Sequence, residues 1–341
     1  MLAILLLDVF IAFVLDLLFG DPYWFPHPVR FIGWLIKSTE KFLRNFIRRL
    51  APGDIQAKAR YERTAGTFLM LFVAAVTFLL VYSILKIAGL IHPVVFHVLN
   101  IYFIYSSLAA KCLADEARKI YRKLAEGDLT ESRKQLAMLV GRQTDGLSEK
   151  EVIRGVVETT AENTVDGIIS PLVYAFIGSF FGVGAPLVYA FKAVSTLDSM
   201  VGYMNEKYIN LGRTSAKTDD AANYIPARLS GIIIPLAAFL CGKSFVRSFK
   251  IMLRDRRKHK SPNCAYPEAA VAGALGIRIG GTNIYFGHAV EKPTIGDAVK
   301  ELDREDIRDT IRIMYTAAFL TVFFEGLIAG ILLYNNFSGR I

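Results

Sequence analysis

The sequence predicts an all-α, polytopic helical membrane protein: a single integral membrane domain over residues 1–341, with cytoplasmic helical loops and a candidate re-entrant segment. Three observations carry that prediction. The 341 residues are 53% hydrophobic with a mean hydropathy of +0.37, above the roughly 45–50% apolar share of soluble domains. The apolar residues are gathered into windows at 2–19, 68–90, 94–113, 165–194, 225–241 and 313–334, several of which reach the roughly 20 residues that cross a bilayer core. Basic residues cluster between windows and give a net charge of +9, as cytoplasmic loops beside membrane spans do. About five to seven membrane segments are expected at these lengths, in the plasma membrane.

The first window lacks a basic leader, holds Asp8 and Asp16, and ends at Gly20-Asp21-Pro22, a poor cleavage site. It therefore reads as a retained helix, not a signal peptide. The loop Asp21-Pro22-Tyr23-Trp24-Phe25-Pro26-His27-Pro28 has too many prolines for regular helix, and its aromatics suit a membrane interface. Val29 to Leu50 is an amphipathic basic helix expected to lie on the membrane surface. Two spans follow, joined by a tight turn around Gly89-Leu90-Ile91-His92-Pro93. The stretch from Ala114 to Glu162 is the most polar. In it, Ser148-Glu149-Lys150-Glu151 marks the start of a helix that continues through Glu158. Window 165–194 is too long for one span and is broken around Gly182-Val183-Gly184-Ala185-Pro186, so its second half is expected to be re-entrant. In the loop from Gly242 to Arg312, Ile277 to Gly281 and Tyr285 to Gly287 look strand-like, with a Gly-Gly turn.

Several function classes are excluded. Cys112, Cys241 and Cys264 are far apart and the histidines scattered, which argues against a protein-ligated zinc site. Neither a Walker-type phosphate loop nor a GxSxG nucleophile motif occurs. The basic clusters at 37–63 and 243–260 suit anionic lipid headgroups. Nucleic-acid binding would need cations interleaved with aromatics on a soluble surface, so membrane lipid is an expected partner and nucleic acid is not.

The chemistry gathers in a few blocks. Glu158, Glu162 and Asp166 stand at i, i+4 and i+8, one stripe of a helix about to enter an apolar window, with Asn163 one step round. Magnesium, which takes one or two carboxylates together with phosphate oxygens and water, would compensate such a stripe; acids complementing a helix end are the plainer alternative. Lys192 and Asp198 lie inside apolar sequence, where each costs about 3 kcal/mol to insert. They either pair with neighbouring helices or bind, the lysine a phosphate or carboxylate, the aspartate a metal or amine. Asp219 and Asn223 share a face, with Asp220 aside and Arg228 beyond. Arg30 has the fork to clamp a carboxylate or phosphate, or to anchor to headgroups.

Taken together, these blocks resemble a known family. Gly20-Asp21-Pro22 with His27-Pro28-Val29-Arg30 and Gly33, the run from Glu158 to Asp166 with Ser170-Pro171, and Lys192 to Tyr203 carry the likeness, as do Asp219-Asp220 to Arg228 and Ser261-Pro262-Asn263 to Gly276. The chain is similar over nearly its whole length to the adenosylcobinamide-phosphate synthase family of cobalamin biosynthesis. That resemblance implies an ATP-dependent carbon–nitrogen ligase joining adenosylcobyric acid to aminopropanol or its O-phosphate, with Mg²⁺ as cofactor, ATP and the corrinoid as substrates, and other cobalamin-pathway enzymes as candidate partners. On this reading Glu162 and Asp166, with Glu158 as a third candidate, hold Mg²⁺, and Lys192 contacts a phosphoryl oxygen. Asp198, Asp219 or Asp220 holds the amine or takes its proton. Arg30, Asn163, Asn223, Arg228 and Asn263 bind polar groups of the substrates. The alternative is a membrane transporter or proton relay that uses intramembrane carboxylates.

Overall fold

Apolar runs of this length satisfy their own backbone groups in lipid only as helices. The computed structural model, which describes residues 2–21, 27–50, 54–285 and 287–338, is helical almost throughout. In chain order the helices are α1 (Leu2–Phe19), α2 (Pro28–Leu50), α3 (Ile55–Ile91), α4 (Pro93–Tyr105), α5 (Ala110–Ala125), α6 (Leu129–Ala137) and α7 (Glu149–Thr164). A π-turn at Val165–Ile169 leads to α8 (Ser170–Phe180), α9 (Gly184–Val201), α10 (Arg213–Ala222), α11 (Tyr224–Leu240), α12 (Phe245–Asp255) and α13 (Ala265–Leu275). A hairpin of β1 (Arg278–Tyr285) and β2 (His288–Gly296) precedes α14 (Glu305–Ser338).

Among the described residues four segments are long and apolar enough to cross a membrane: Leu2–Phe19, Ile55–Ile91, Pro93–Ala125 and Glu305–Asn335. The broken pair Arg213–Ala222 and Tyr224–Leu240 makes a fifth if it counts as one span. The all-α polytopic class holds, but four spans fall one short of the expected five to seven, and the lower bound is reached only if the broken pair crosses as one. Window 165–194 supplies no span among the described residues, because the π-turn and the break at Gly182 divide it into pieces too short or too polar. The interfacial aromatics Tyr23, Trp24 and Phe25 lie outside the described residues.

The single domain expected over 1–341 forms two compact units, each drawn from two stretches of chain. The first comprises Met1–Leu108 and Pro171–Ala222. Helix α9 is central to it, packing against α2, α3, α4 and α10. The turn expected between the second and third apolar windows shrinks to His92, whose ring Nδ1 accepts from Val94 N at 3.2 Å, with Pro93 opening α4. Asp8, buried in α1, accepts from His97 Nδ1 and Asn100 Nδ2, both at 2.8 Å, which offsets the cost of a carboxylate in an apolar span. A side chain at Gly66 would place its Cβ 1.9 Å from the carbonyl of Leu211, so only glycine lets α3 pass that backbone. Helix α2 buries Ile32, Ile36, Leu43 and Ile47, and leaves Phe31, Trp34, Phe42 and Phe46 exposed beside Lys37, Lys41 and Arg48.

The second unit comprises Ala109–Ser170 and Asn223–Ile341. Helix α7 packs against α5, α6, α13, α14 and β1. Its start follows the sequence signal: Ser148 Oγ accepts from Glu151 N at 3.4 Å, while Glu151 returns a carboxylate to Ser148 N at 2.7 Å. The strand prediction needs correction. Gly280-Gly281 is not the hairpin turn but lies inside β1 at an irregularity of register, and the strands reverse between Tyr285 and His288; Phe286 lies outside the described residues. Both glycines have positive φ, 87° and 93°, which suits a bulge as well as it would a turn.

The base of the hairpin is tied to α12 by Asp255. Its fully buried carboxylate accepts from Gly296 N at 2.8 Å and faces Arg254 and Lys258, each at 2.8 Å. Although burial opposes ionisation, the hydrogen bonds of Arg254, Lys258 and Gly296 prevail and bring the carboxyl down to about 2. A carboxyl depressed in the folded state stabilises above its unfolded value near 4, and the stabilisation, about 2 kcal/mol, is lost as pH falls towards 2. Asp255→Asn should therefore lower the unfolding midpoint at pH 6, and the gap to wild type should narrow steadily between pH 4 and 2.

Candidate active site

Glu158, Glu162 and Asp166 do not form one continuous helical row. Helix α7 ends at Thr164, and Asp166 sits in the π-turn, where Ser170 N reaches back to Val165 O. The turn has a tertiary cause. Gly167 O accepts from Ala109 N at 3.0 Å, and a Cβ at Gly167 would stand 3.4 Å from both Ala109 and Leu113. Such one-turn widenings of helices often accompany functional sites.

The three carboxylates differ in what surrounds them. Glu158 is buried and its oxygens are committed: Arg142 donates to Oε2 at 2.9 Å, Gly280 N donates to Oε1 at 2.8 Å, and Arg154 Nε lies 3.7 Å from Oε1. Both arginines also hold Asn283 Oδ1, Arg154 at 3.1 Å, and Arg154 reaches the carbonyls of Gly280 and Thr282 at 2.5 and 3.2 Å. This is a latch pinning β1 onto α7. Glu162 and Asp166 are half-buried. Cys264 donates its thiol to Glu162 Oε1 at 3.0 Å, and burial, then the charges of Glu162, Glu268 and Asp166, push that thiol well above its usual range. Burial, then Glu162 and Glu158, likewise raise the buried carboxyl of Glu268 well above the usual carboxylate range, favouring its protonated form.

Among the described residues no group of three or more His, Cys, Asp or Glu could cage a metal ion. Magnesium needs no such cage, since it keeps several waters and commonly joins one or two carboxylates to substrate phosphates. Glu162 and Asp166 fit that donor set. Glu158 does not, its oxygens being held by cations and a backbone N–H.

The remaining candidates divide between the units. In the second, Asn163 donates its amide nitrogen to Thr159 O at 2.8 Å, which leaves its oxygen as an acceptor for a ligand. Asn223 is buried and accepts from Ser170 Oγ at 2.6 Å. Arg228 donates to Asn263 Oδ1 at 2.7 Å, and Asn263 adjoins Cys264, so both belong to the surroundings of Glu162. In the first unit, half-buried Lys192 and Asp198 lie on α9, which packs against α10 with its half-buried Asp219 and Asp220. All four have neighbouring partners. Burial and the charge of Asp219 raise the phenol of Tyr174, placing Asp219 near that ring. Gly202 closes α9 against Asp198: a Cβ there would lie 1.9 Å from Asp198 Oδ1. Arg30 is exposed in the first turn of α2.

Sequence reasoning missed Arg142, Arg154, Asn283 and Glu268. Arg154 stands four residues before Glu158, a spacing that marks an ion pair on a helix. Glu268 was signalled by its place in an apolar run after Pro267, where an unpaired acid is costly. Nothing local marks Asn283.

The chain matches the sequence profile of the family described as CobD/Cbib protein over residues 9–314. It is 48% identical over 317 residues to the cobalamin biosynthesis protein CobD of Clostridium acetobutylicum, covering 93% of this chain and 96% of the relative. Its identity to the protein of the same description in Geobacter metallireducens is 49% over 321 residues, covering 94% and 96%. To the cobalamin biosynthesis protein CbiB of Salmonella paratyphi B it is 48% over 312 residues, covering 92% and 93%. No solved structure matches it.

Proposed function

The chain belongs to the CobD/CbiB family and acts in cobalamin biosynthesis, and from that premise we propose that it is an ATP-dependent ligase joining adenosylcobyric acid to aminopropanol or its O-phosphate, in the plasma membrane. The observation that carries this reading is the pair Glu162 and Asp166, half-buried at a π-turn beside a buried acid and a buried arginine latch.

An unactivated carboxylate does not condense with an amine. In the proposed first step a carboxylate oxygen of the corrinoid attacks the γ-phosphorus of ATP; the β–γ bridge breaks and ADP leaves. In the second, the amine nitrogen attacks the acyl carbon, inorganic phosphate departs, and the amine's proton passes to a base. Glu162 and Asp166 would hold Mg²⁺, which when bound offsets charge developing on the phosphoryl group. Lys192, rooted in the packed helix α9, is the proposed donor to a phosphoryl oxygen. Asp198, Asp219 or Asp220 would orient the ammonium and accept its proton once its pKa suits. Asn163 and Asn223, with Arg30, Arg228 and Asn263, would position polar groups of the substrates. Association with other enzymes of the pathway is compatible with this reading.

The test uses purified protein in detergent, supplied with adenosylcobyric acid, aminopropanol phosphate, ATP and magnesium. Stoichiometric release of ADP with an amide product is the expected result. Substrate flux across vesicles without ATP turnover would instead identify a transporter.

A further inference from the structure

We propose that the edge of the Arg228 guanidinium is the receptor for an oxyanion, phosphate or carboxylate, of one of the substrates; this deepens the ligase reading and rests on it. Arg228 lies in the first turns of α11. Its guanidinium carbon is 3.4 Å from the ring centroid of Tyr224 and 4.6 Å from that of Tyr266. One nitrogen, Nη1, donates to two neutral acceptors, Asn263 Oδ1 at 2.7 Å and the carbonyl of Tyr224 at 2.9 Å.

Those contacts fix the plane of the group without neutralising it. Among the described residues no carboxylate lies within 4.0 Å of Arg228, and neither Nε nor Nη2 donates to any of them. Arg142, Arg154 and Arg254 in the same unit each face an acid. A half-buried guanidinium held rigid by two rings and a buried asparagine, with its charge uncompensated, is a pre-organised fork for a planar pair of oxygens. Its position points the same way. Asn263, which holds Arg228, is followed by Cys264, which donates to Glu162. The oxyanion would thus arrive next to the acids proposed for magnesium.

Three substrates carry such a group: the amino alcohol phosphate, ATP and the corrinoid acid. Steady-state kinetics of wild type, Arg228→Lys and Arg228→Ala separate them. Arg228→Lys keeps a charge and loses the fork, and it should raise KM for one substrate at least about tenfold with kcat little changed. An increase for aminopropanol phosphate but not for aminopropanol identifies the phosphate monoester. An increase for ATP with either amine identifies the nucleotide, and one for adenosylcobyric acid the carboxylate. Unchanged KM values for all of them in both folded variants overturn the inference. If the wild type itself releases no ADP, the ligase reading fails. Calorimetric titration of the same three compounds into wild type and Arg228→Lys then decides this proposal separately: weaker binding of one by the variant supports it, and equal or undetectable binding by both overturns it.

Discussion

Replacing Glu162 by Gln and Asp166 by Asn together should lower turnover by about three orders of magnitude, roughly 4 kcal/mol of transition-state stabilisation, and abolish the dependence of rate on magnesium. Both carboxylates are half-buried, neither sealed in the interior nor free in water, and nearby, burial and then the charges of Glu162 and Glu158 push Glu268 towards its protonated form. Further negative charge from substrate phosphates is unfavourable beside these acids, and a divalent cation held by the two carboxylates offsets it. The amides preserve shape, so a folded variant is expected, and its thermal unfolding midpoint in the absence of magnesium is the control. Magnesium binding by isothermal titration should disappear along with turnover. Retained turnover, with retained affinity for the ion, would remove the basis for placing magnesium at these residues.

How much of this was legible in the sequence depends on how local each cause is. The start of α7 was legible because Ser148 and Glu151 cap it within one turn. The apolar windows were legible because length and composition alone decide whether a helix can span. The interruption at Asp166 was not, because its cause is Ala109, which takes the carbonyl of Gly167 from far upstream. The inclusion of Glu158 as a third metal candidate beside Glu162 and Asp166 had the same origin. Helical spacing puts three acids in a row, but which one is spent on structure depends on Arg142 in the preceding loop and on Asn283 and Gly280 in β1. The glycine pair at 280–281 misled for a related reason: positive φ serves a bulge and a turn alike, and only the pairing partner across the hairpin tells them apart.

Breaking the latch at Glu158 should have the largest effect on stability. Arg142 and Glu158 are 6% and 7% exposed, and the hydrogen bonds of the pair extend to Asn283 and to Gly280 N. Removing one member of a buried ion pair leaves the other charged and desolvated, at a cost of about 3–5 kcal/mol. Glu158→Ala should be the more damaging, since it strands both Arg142 and Arg154, whereas Arg142→Ala leaves Glu158 its contact with Arg154. Replacing both Arg142 and Glu158 with Met should recover part of the loss, because apolar side chains carry no charge to desolvate, though Gly280 N stays without its acceptor and Arg154 without its carboxylate. The recovery is read from unfolding midpoints of wild type, Arg142→Met, Glu158→Met and the double Met variant, which close a double-mutant cycle. Hydrogen exchange gives the location: amides of 278–296 should lose protection in the single variants while those of α1 and α3 do not. Glu158→Gln is the decisive comparison with Glu162. As a latch residue, Glu158 should lose stability on conversion to Gln while the folded fraction still binds magnesium. If magnesium affinity falls instead and stability does not, the acid belongs with the metal ligands after all, and Arg142 and Arg154 must release it when the ion arrives.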